Sequence, residues 1–218
     1  VILGLDYAEA QPGDSAGQIL GNAVFLPDHQ PVRILDYREL SAWNSSSVSN
    51  TVDMIAAEAV ERRRTMTTHV ASDAADVLAS LDIGKTDVFI VHDADLAPPG
   101  KLAELGEAWS AAIDAFLQQR GVVVVLAGAD GTHEMGAFLD ASGLLVGAEV
   151  KPSMGGALYI ADEEDMLSRG LPERIPSTPL CASFALPDGA DPGIARVVLG
   201  EDGDPVVLRH ARAVTGAD

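Results

Sequence analysis

The sequence predicts an α/β protein in which helices cover both faces of a mainly parallel sheet. Residues 88–91 (VFIV) and 122–126 (VVVVL) are uninterrupted apolar runs, which is the pattern of strands buried on both faces. Residues 101–120, which lie between them, repeat apolar side chains at helical spacing. A strand, a helix and a strand in this succession form a parallel unit with a right-handed crossover. Together with the earlier elements, this unit indicates a doubly wound sheet of flavodoxin-like type.

The first half of the chain supplies the earlier elements. Residues 1–30 are punctuated by Gly, Pro and Asp, and we expect them to form an N-terminal extension with a strand at 23–26. The elements that follow are a strand at 31–37, a helix from about 50 to 64, a strand at 65–71 and a helix at 73–81. Ser49 or Asn50 is a favourable N-cap for the first of these helices, whose apolar residues recur at helical spacing.

The last third of the chain is expected to complete the sheet. The predicted elements are a helix at 132–140, a strand at 157–161, a short helix capped by Asp162, a strand at 180–186 and a terminal hairpin. The hairpin is indicated by Asp202 and Gly203, which separate two β-branched runs. We therefore expect a single domain over residues 1–218, composed of the extension (1–30), a doubly wound core (31–150) and a β-rich completion (151–218).

Composition excludes several classes of partner. The chain has 14 basic and 33 acidic residues, a net charge of −19, so it should repel a nucleic-acid backbone and an anionic lipid surface. The sequence contains no apolar stretch of about 20 residues that could span a bilayer. The expected partner is a small polar ligand or another protein, with no nucleic acid and no membrane insertion.

Cysteine content and the start of the chain bear on the cellular compartment. Cys181 is the single cysteine, so the sequence offers neither an internal disulfide nor a multi-cysteine metal site. The chain starts at Val1 without a methionine, which leaves both export (to the periplasm or the extracellular space) and the cytoplasm open.

Polar clusters follow two of the predicted parallel strands. They are His92, Asp93 and Asp95 after the strand at 88–91, and Asp130, His133 and Glu134 after the strand at 122–126. In open parallel sheets, ligands bind beyond the carboxyl ends of the strands. Because both strands run in the same direction, the two clusters should share one edge of the sheet. Tyr37 and Asn44, which follow the strand at 31–37, are expected to meet them there.

Several roles are open to these side chains. His92, Asp93, Asp130 and His133 are candidate ligands of a divalent ion such as Zn²⁺ or Mn²⁺. Asp130, His133 and Glu134 are candidates for acid–base catalysis. The candidate residues for binding a polar ligand are His92, Asp93, Asp95, Asp130 and His133. Alternatively, these side chains only meet water at strand ends, with Asp130 or Thr132 capping the next helix and Glu134 in its first turn.

Four segments of the sequence form a characteristic succession: "DVFIVHDADLAPPG" and "FLQQRGVVVVLAG" within residues 87–147, and the later "DMLSRGLP" and "DGDPVVLRHA". This succession resembles the class I glutamine amidotransferase-like superfamily, especially its trehalose-utilisation-like branch. Active members of that superfamily place a cysteine at the elbow after the strand and a His/Glu pair late in the chain. Here the elbow carries Ala129 or Asp130, and His210 has no evident acidic partner. Without a cysteine or serine nucleophile no acyl intermediate can form. The resemblance therefore implies a non-catalytic or atypical binding module of a bacterial protein.

A second resemblance is to response-regulator receiver domains, which share the flavodoxin-like strand order. In "DVFIVHDADLAPPG", Asp93 corresponds to the phosphate-accepting aspartate, and Lys151-Pro152 is similar to their Lys-Pro pair. Asp36 stands where receivers carry two adjacent acids. The alternatives to a binding module are therefore a metal-dependent hydrolase or isomerase of a small, sugar-like substrate and a degenerate receiver-like signalling domain.

Overall fold

The computed structural model describes residues 1–8, 10–41, 46–128, 134–154, 156–175 and 180–212. The strands in these residues, numbered along the chain, are β1 (Ile2–Leu3), β2 (Val32–Tyr37), β3 (Met66–Val70), β4 (Val88–Val91), β5 (Val122–Leu126), β6 (Glu149–Met154), β7 (Leu158–Ile160), β8 (Arg174–Ile175), β9 (Leu180–Ala185), β10 (Ile194–Leu199) and β11 (Pro205–His210). The α-helices are α1 (Ser15–Val24), α2 (Ser46–Glu61), α3 (Ala74–Ser80), α4 (Lys101–Gln118) and α5 (Met135–Ala141).

A mixed sheet organises the molecule. Within the described ranges it has nine strands in the order β3-β2-β4-β5-β1-β11-β10-β7-β8, while β6 and β9 pair separately. The neighbours from β3 to β1 are all parallel, and those from β1 to β8 are all antiparallel. The predicted strands at 31–37, 65–71, 88–91 and 122–126 are confirmed as β2 to β5. The parallel pairing of β4 with β5 is confirmed as well.

Helices cover both faces of the parallel strands, and successive residues of β4 show this. Val88 and Ile90 pack in a core with residues of α1 and α2, whereas Phe89 and Val91 pack with residues of α3, α4 and α5. Trp109 of α4 is central to the second core, with edge-on ring contacts to Tyr37, Phe89 and Phe138. The structure is therefore an α/β fold with a sandwiched parallel region.

The strand predicted at 23–26 is wrong, because residues 23 and 24 end helix α1. Asp14 starts this helix: its Oδ1 accepts a hydrogen bond from the Gly17 N–H at 2.7 Å. Ahead of the helix, β1 pairs with both β5 and β11, inside the sheet. The first 30 residues therefore contribute a helix and an interior strand.

The C-terminal elements complete the antiparallel half of the sheet. The predicted hairpin is confirmed as β10 and β11, and the strands at 157–161 and 180–186 are confirmed as β7 and β9. The helix expected after Asp162 is instead a 3₁₀ turn, Met166–Ser168, because Asp165 accepts the capping hydrogen bond from the Leu167 N–H. Over the part of the chain that the structure describes, no helix has the length and apolarity to cross a membrane.

Candidate functional site

The carboxyl ends of β2 and β4 carry a buried pair of ionisable side chains, Asp36 and His92. Side chains alternate across a strand, and Ile34 and Ile90 pack on the face covered by α1 and α2. Asp36 and His92 follow two residues later on each strand and therefore project to the same face. They are only 3% and 2% exposed, respectively. His92 is therefore buried, whereas one alternative from the sequence was that it only meets water at the end of its strand.

The pair is in close electrostatic contact, but its hydrogen bonding is incomplete. His92 Nε2 lies 2.9 Å from Asp36 Oδ1, and Arg38 Nη2 lies 3.1 Å from Asp36 Oδ2. Asp36 Oδ1, His92 Nε2 and Arg38 Nε are buried and make no well-aligned hydrogen bond to any described group. Buried polar atoms in folded proteins nearly always have such a partner, so this arrangement requires an explanation.

Strand order places the pair at a distinctive point of the sheet. From β2 the chain moves to β3 on one side and then returns to β4 on the other side of β2. The connections that follow β2 and β4 therefore lead to helices on opposite faces of the sheet, and open α/β sheets bind their ligands in the crevice expected at such a point. The rim is held by two backbone hydrogen bonds, from the His92 N–H to the Tyr37 carbonyl (3.1 Å) and from the Leu96 N–H to the Leu40 carbonyl (2.9 Å).

The end of β5 also reaches this crevice. Gly128 follows β5 with a φ of +78°, and a Cβ atom at this position would lie 2.2 Å from Asp93 Oδ2. Glycine is therefore required both by the backbone conformation and by the approach of the Asp93 carboxylate. The carboxyl ends of β4 and β5 therefore lie side by side, with the half-buried Asp93 at the contact.

The other predicted site residues have different surroundings. Asp95 is exposed. Glu134 is the N-cap residue of α5 rather than part of its first turn, and its Oε2 accepts a hydrogen bond from the Gly100 N–H at 2.6 Å. Asp130 and His133 lie outside the described residues, as does Thr132.

Two further expectations concern the residues after β2. Tyr37 packs against Trp109 on the face opposite to Asp36, and its hydroxyl donates a hydrogen bond to Glu39 at 3.2 Å. Burial, with the nearby Glu39 carboxylate, raises the pKa of Tyr37, so its phenol stays neutral. Asn44 lies outside the described residues.

Among the residues that the structure describes, no three or more His, Cys, Asp or Glu side chains are grouped so as to hold a metal ion. Two of the four candidate ligands from the sequence, Asp130 and His133, are not among those residues.

Asp36, Arg38 and Gly128 are not among the site residues predicted from the sequence, although the receiver resemblance singles out Asp36 as the position of the paired acids. Asp36 had one detectable signal, because a charged residue inside the apolar strand "VRILDY" is rarely buried without a partner. Gly128 had none, since its role depends on the position of Asp93, a residue 35 positions earlier in the chain.

His210 has the acidic partner that the sequence did not reveal. Its Nε2 lies 3.1 Å from Asp191 Oδ2, and its Nδ1 lies 2.9 Å from the Leu144 carbonyl. The cavity beside it has a volume of about 510 Å³. Because both ring nitrogens are engaged, His210 ties the hairpin to the loop after α5.

Two other residues considered from the sequence lie away from the crevice. Lys151 belongs to β6 of the separate two-stranded sheet, where its Nζ is 3.6 Å from Glu149 Oε2. Cys181 is buried in β9 of the same sheet.

Comparison of the chain with family models, with curated proteins and with solved structures finds no match.

Proposed function

We propose that this protein is a non-catalytic binding module that takes a small, neutral, hydroxylated ligand such as a sugar in the crevice beyond the carboxyl ends of β2 and β4. The observation that carries the proposal is the buried Asp36–His92 contact, whose facing atoms lack aligned hydrogen bonds at the point where the strand order reverses. Buried groups in this condition are a cost to the fold, and such costs are typical of functional sites.

The ligand class follows from the chemistry of the crevice. Asp36 offers carboxylate oxygens that accept hydrogen bonds, whereas Arg38 offers guanidinium N–H groups that donate them. A hydroxyl group can do both, so a polyhydroxylated molecule can satisfy donors and acceptors together. An anionic ligand is disfavoured by the net charge of −19.

The strand order supports the finer description of the fold as flavodoxin-like. If β2 is counted as the first strand, then β3, β2, β4 and β5 follow the order 2-1-3-4, with its switch point at the crevice. In this proposal the protein is an amidotransferase-like domain that has kept the sheet and lost the nucleophile. Its elbow position, Ala129 or Asp130, offers no thiol.

Thermal melts with glucose, sucrose and mannitol test the proposal. A ligand at 100 times its Kd should stabilise the protein by about 2.7 kcal/mol, and Asp36→Asn and His92→Gln should each abolish the shift. His29→Gln is the control, because His29 lies 2.8 Å from Asp87 at the opposite edge of the sheet. A wild-type melt that none of these compounds shifts, or a shift that both site variants retain, would contradict the proposal.

A pair of glycine variants tests the location of the site. Gly128→Ala forces a methyl group into the Asp93 carboxylate, whereas Gly100→Ala adds one where no atom lies within 4 Å. Both residues have a φ near +79°, so the backbone strain is shared. We expect Gly128→Ala to weaken ligand binding more than Gly100→Ala does. Equal affinities would place the site elsewhere.

Two further measurements on the wild-type protein distinguish the alternative functions. A melting shift with Zn²⁺ or Mn²⁺ that EDTA reverses would favour the metal-dependent enzyme. Mg²⁺-dependent labelling of Asp93 by acetyl phosphate would favour the receiver-like domain.

A further inference from the structure

The outer edge of β3 is open. This strand ends the sheet, and among the described strands only β2 pairs with it. Residues 67–70 are all exposed, so neither face of the strand is fully covered. Natural edge strands are usually protected by Pro, Lys, a bulge or an overlying segment. The β3 sequence, MTTHV, contains neither Pro nor Lys.

The backbone groups that face outward can be assigned from the pairing with β2. The Val32 N–H donates to the Thr65 carbonyl, and the Ala71 N–H donates to the Asp36 carbonyl, both at 2.9 Å. In a parallel pair, alternate residues bond to the neighbour. The odd-numbered residues of β3 therefore bond to β2, and Met66, Thr68 and Val70 direct their N–H and C=O groups away from the sheet.

We infer that β3 pairs antiparallel with β3 of a second copy of this chain, about a two-fold axis at Thr68. This register uses all the outward-facing groups of the strand and forms about six backbone hydrogen bonds. It places Thr68 opposite Thr68 of the second copy and Met66 opposite Val70. Thr–Thr and apolar pairs of this kind stabilise neighbouring strands.

Charge is complementary in the same register. Arg63 lies in the turn before β3 and Asp73 lies after β3, and both are exposed. An antiparallel two-fold arrangement therefore brings the Arg63 end of one copy to the Asp73 end of the other. An interface that is basic at one end and acidic at the other matches itself only when the second strand is antiparallel.

Exposed apolar side chains lie on β3 and on the helices that precede and follow it in the chain. Of the seven large apolar side chains exposed among the described residues, three lie on β3 or on the helices adjoining it in the chain. They are Val70 on β3, Val60 on α2 and Leu78 on α3. Val70 lies on the strand itself, so the new strand pair would cover part of this exposed apolar surface.

Sedimentation over micromolar to millimolar protein concentrations tests the inference. The wild type should be a dimer in this range, and Val70→Lys should weaken association by about tenfold or more, because it places a charge at the strand edge. Val146→Lys is the matched control, since Val146 is a 67% exposed valine away from β3 and its replacement should have no effect. A monomeric wild type, or equal effects of the two lysines, would overturn the inference.

Cysteine cross-linking tests the register. Residues directly opposite in a hydrogen-bonded pair have Cα atoms about 5.5 Å apart, within the range of a disulfide. Thr68→Cys should therefore form a covalent dimer on mild oxidation. Thr67→Cys should not, because the two copies of residue 67 are diagonal neighbours about 7–8 Å apart. The native Cys181 is buried and leaves the background unreactive. Equal cross-linking by both variants, or by neither, would refute the Thr68 axis.

Discussion

Replacing the Asp36–His92 pair by apolar side chains separates a functional role from a structural one. Asp36 is buried and has two basic neighbours, His92 and Arg38. His92→Leu leaves the Asp36 carboxylate with Arg38 alone, and Asp36→Val leaves both bases without their acid. Each single change should cost about 1–3 kcal/mol, which is the penalty for an incompletely satisfied buried polar group. About 2 kcal/mol corresponds to a fall in Tm of about 4–8 °C for a chain of this size.

The double variant should recover most of this loss. Buried ion pairs are often replaced by well-packed apolar residues at no cost or with a gain of about 1–4 kcal/mol, because the desolvation penalty disappears. Arg38 is 27% exposed and can turn its guanidinium to water. Asp36→Val/His92→Leu should therefore be at least as stable as the better single variant, and it should no longer show a sugar-dependent shift.

Urea denaturation of the four proteins, followed by the fluorescence of the buried Trp109, gives the double-mutant cycle. The reasoning is refuted if the double variant is less stable than both single variants. The pair would then contribute net stability, and no functional explanation would be needed for its burial.

Three further outcomes follow from the structure. Arg33→Met should lower the free energy of unfolding, measured by urea denaturation, by about 3 kcal/mol. Asp87 is 1% exposed, and without the guanidinium it would keep only the backbone N–H of residue 33 and His29 as partners. A loss under about 1 kcal/mol would contradict this prediction. The Ser72 N–H, followed by His69, lowers the pKa of Asp76 to about 2. Since this folded-state pKa is depressed, the stability that Asp76 contributes is present above about pH 4 and is lost as the pH falls towards 2. An NMR titration of the Asp76 carboxyl group with a midpoint near about pH 4 would disprove this prediction. Trp109→Ala should cost about 3–5 kcal/mol and Trp109→Phe clearly less. Urea denaturation followed by far-UV circular dichroism measures both losses, because these variants lack the fluorescent Trp109, and equal losses would count against the packing argument.

The parallel half of the sheet could be predicted because each of its elements has a local pattern. The β4 and β5 strands are unbroken apolar runs, and the apolar residues of α4 recur with the 3.6-residue period of a helix. Two such strands joined by a helix have essentially one accessible arrangement, so the parallel pairing followed as well.

The N-terminal elements could not be predicted because tertiary contacts determine them. The sequence of α1, SAGQILGNAV, contains two glycines, which weaken a helix in isolation. In the structure a Cβ at Gly21 would lie 2.3 Å from the Glu58 carboxylate, so the glycine allows α1 to approach α2. β1 has only two residues, too few for any periodicity, and it is held in place by β5, which lies far along the chain.

The two buried aspartates on neighbouring strands show why the candidate site was harder to predict than the fold. Asp87, which precedes β4, accepts hydrogen bonds from the Arg33 side chain and its N–H and lies 2.8 Å from His29. Burial would raise the pKa of Asp87, but these partners lower it overall, as expected for a carboxylate that serves the fold. Asp36, at the opposite edge, has a similar set of residue types around it but an oxygen without an aligned hydrogen bond. Residue identity alone does not distinguish the two, because only the geometry shows which carboxylate is fully satisfied. The incompletely satisfied one lies at the edge where the connections diverge, and for that reason we assign binding to Asp36 and structure to Asp87.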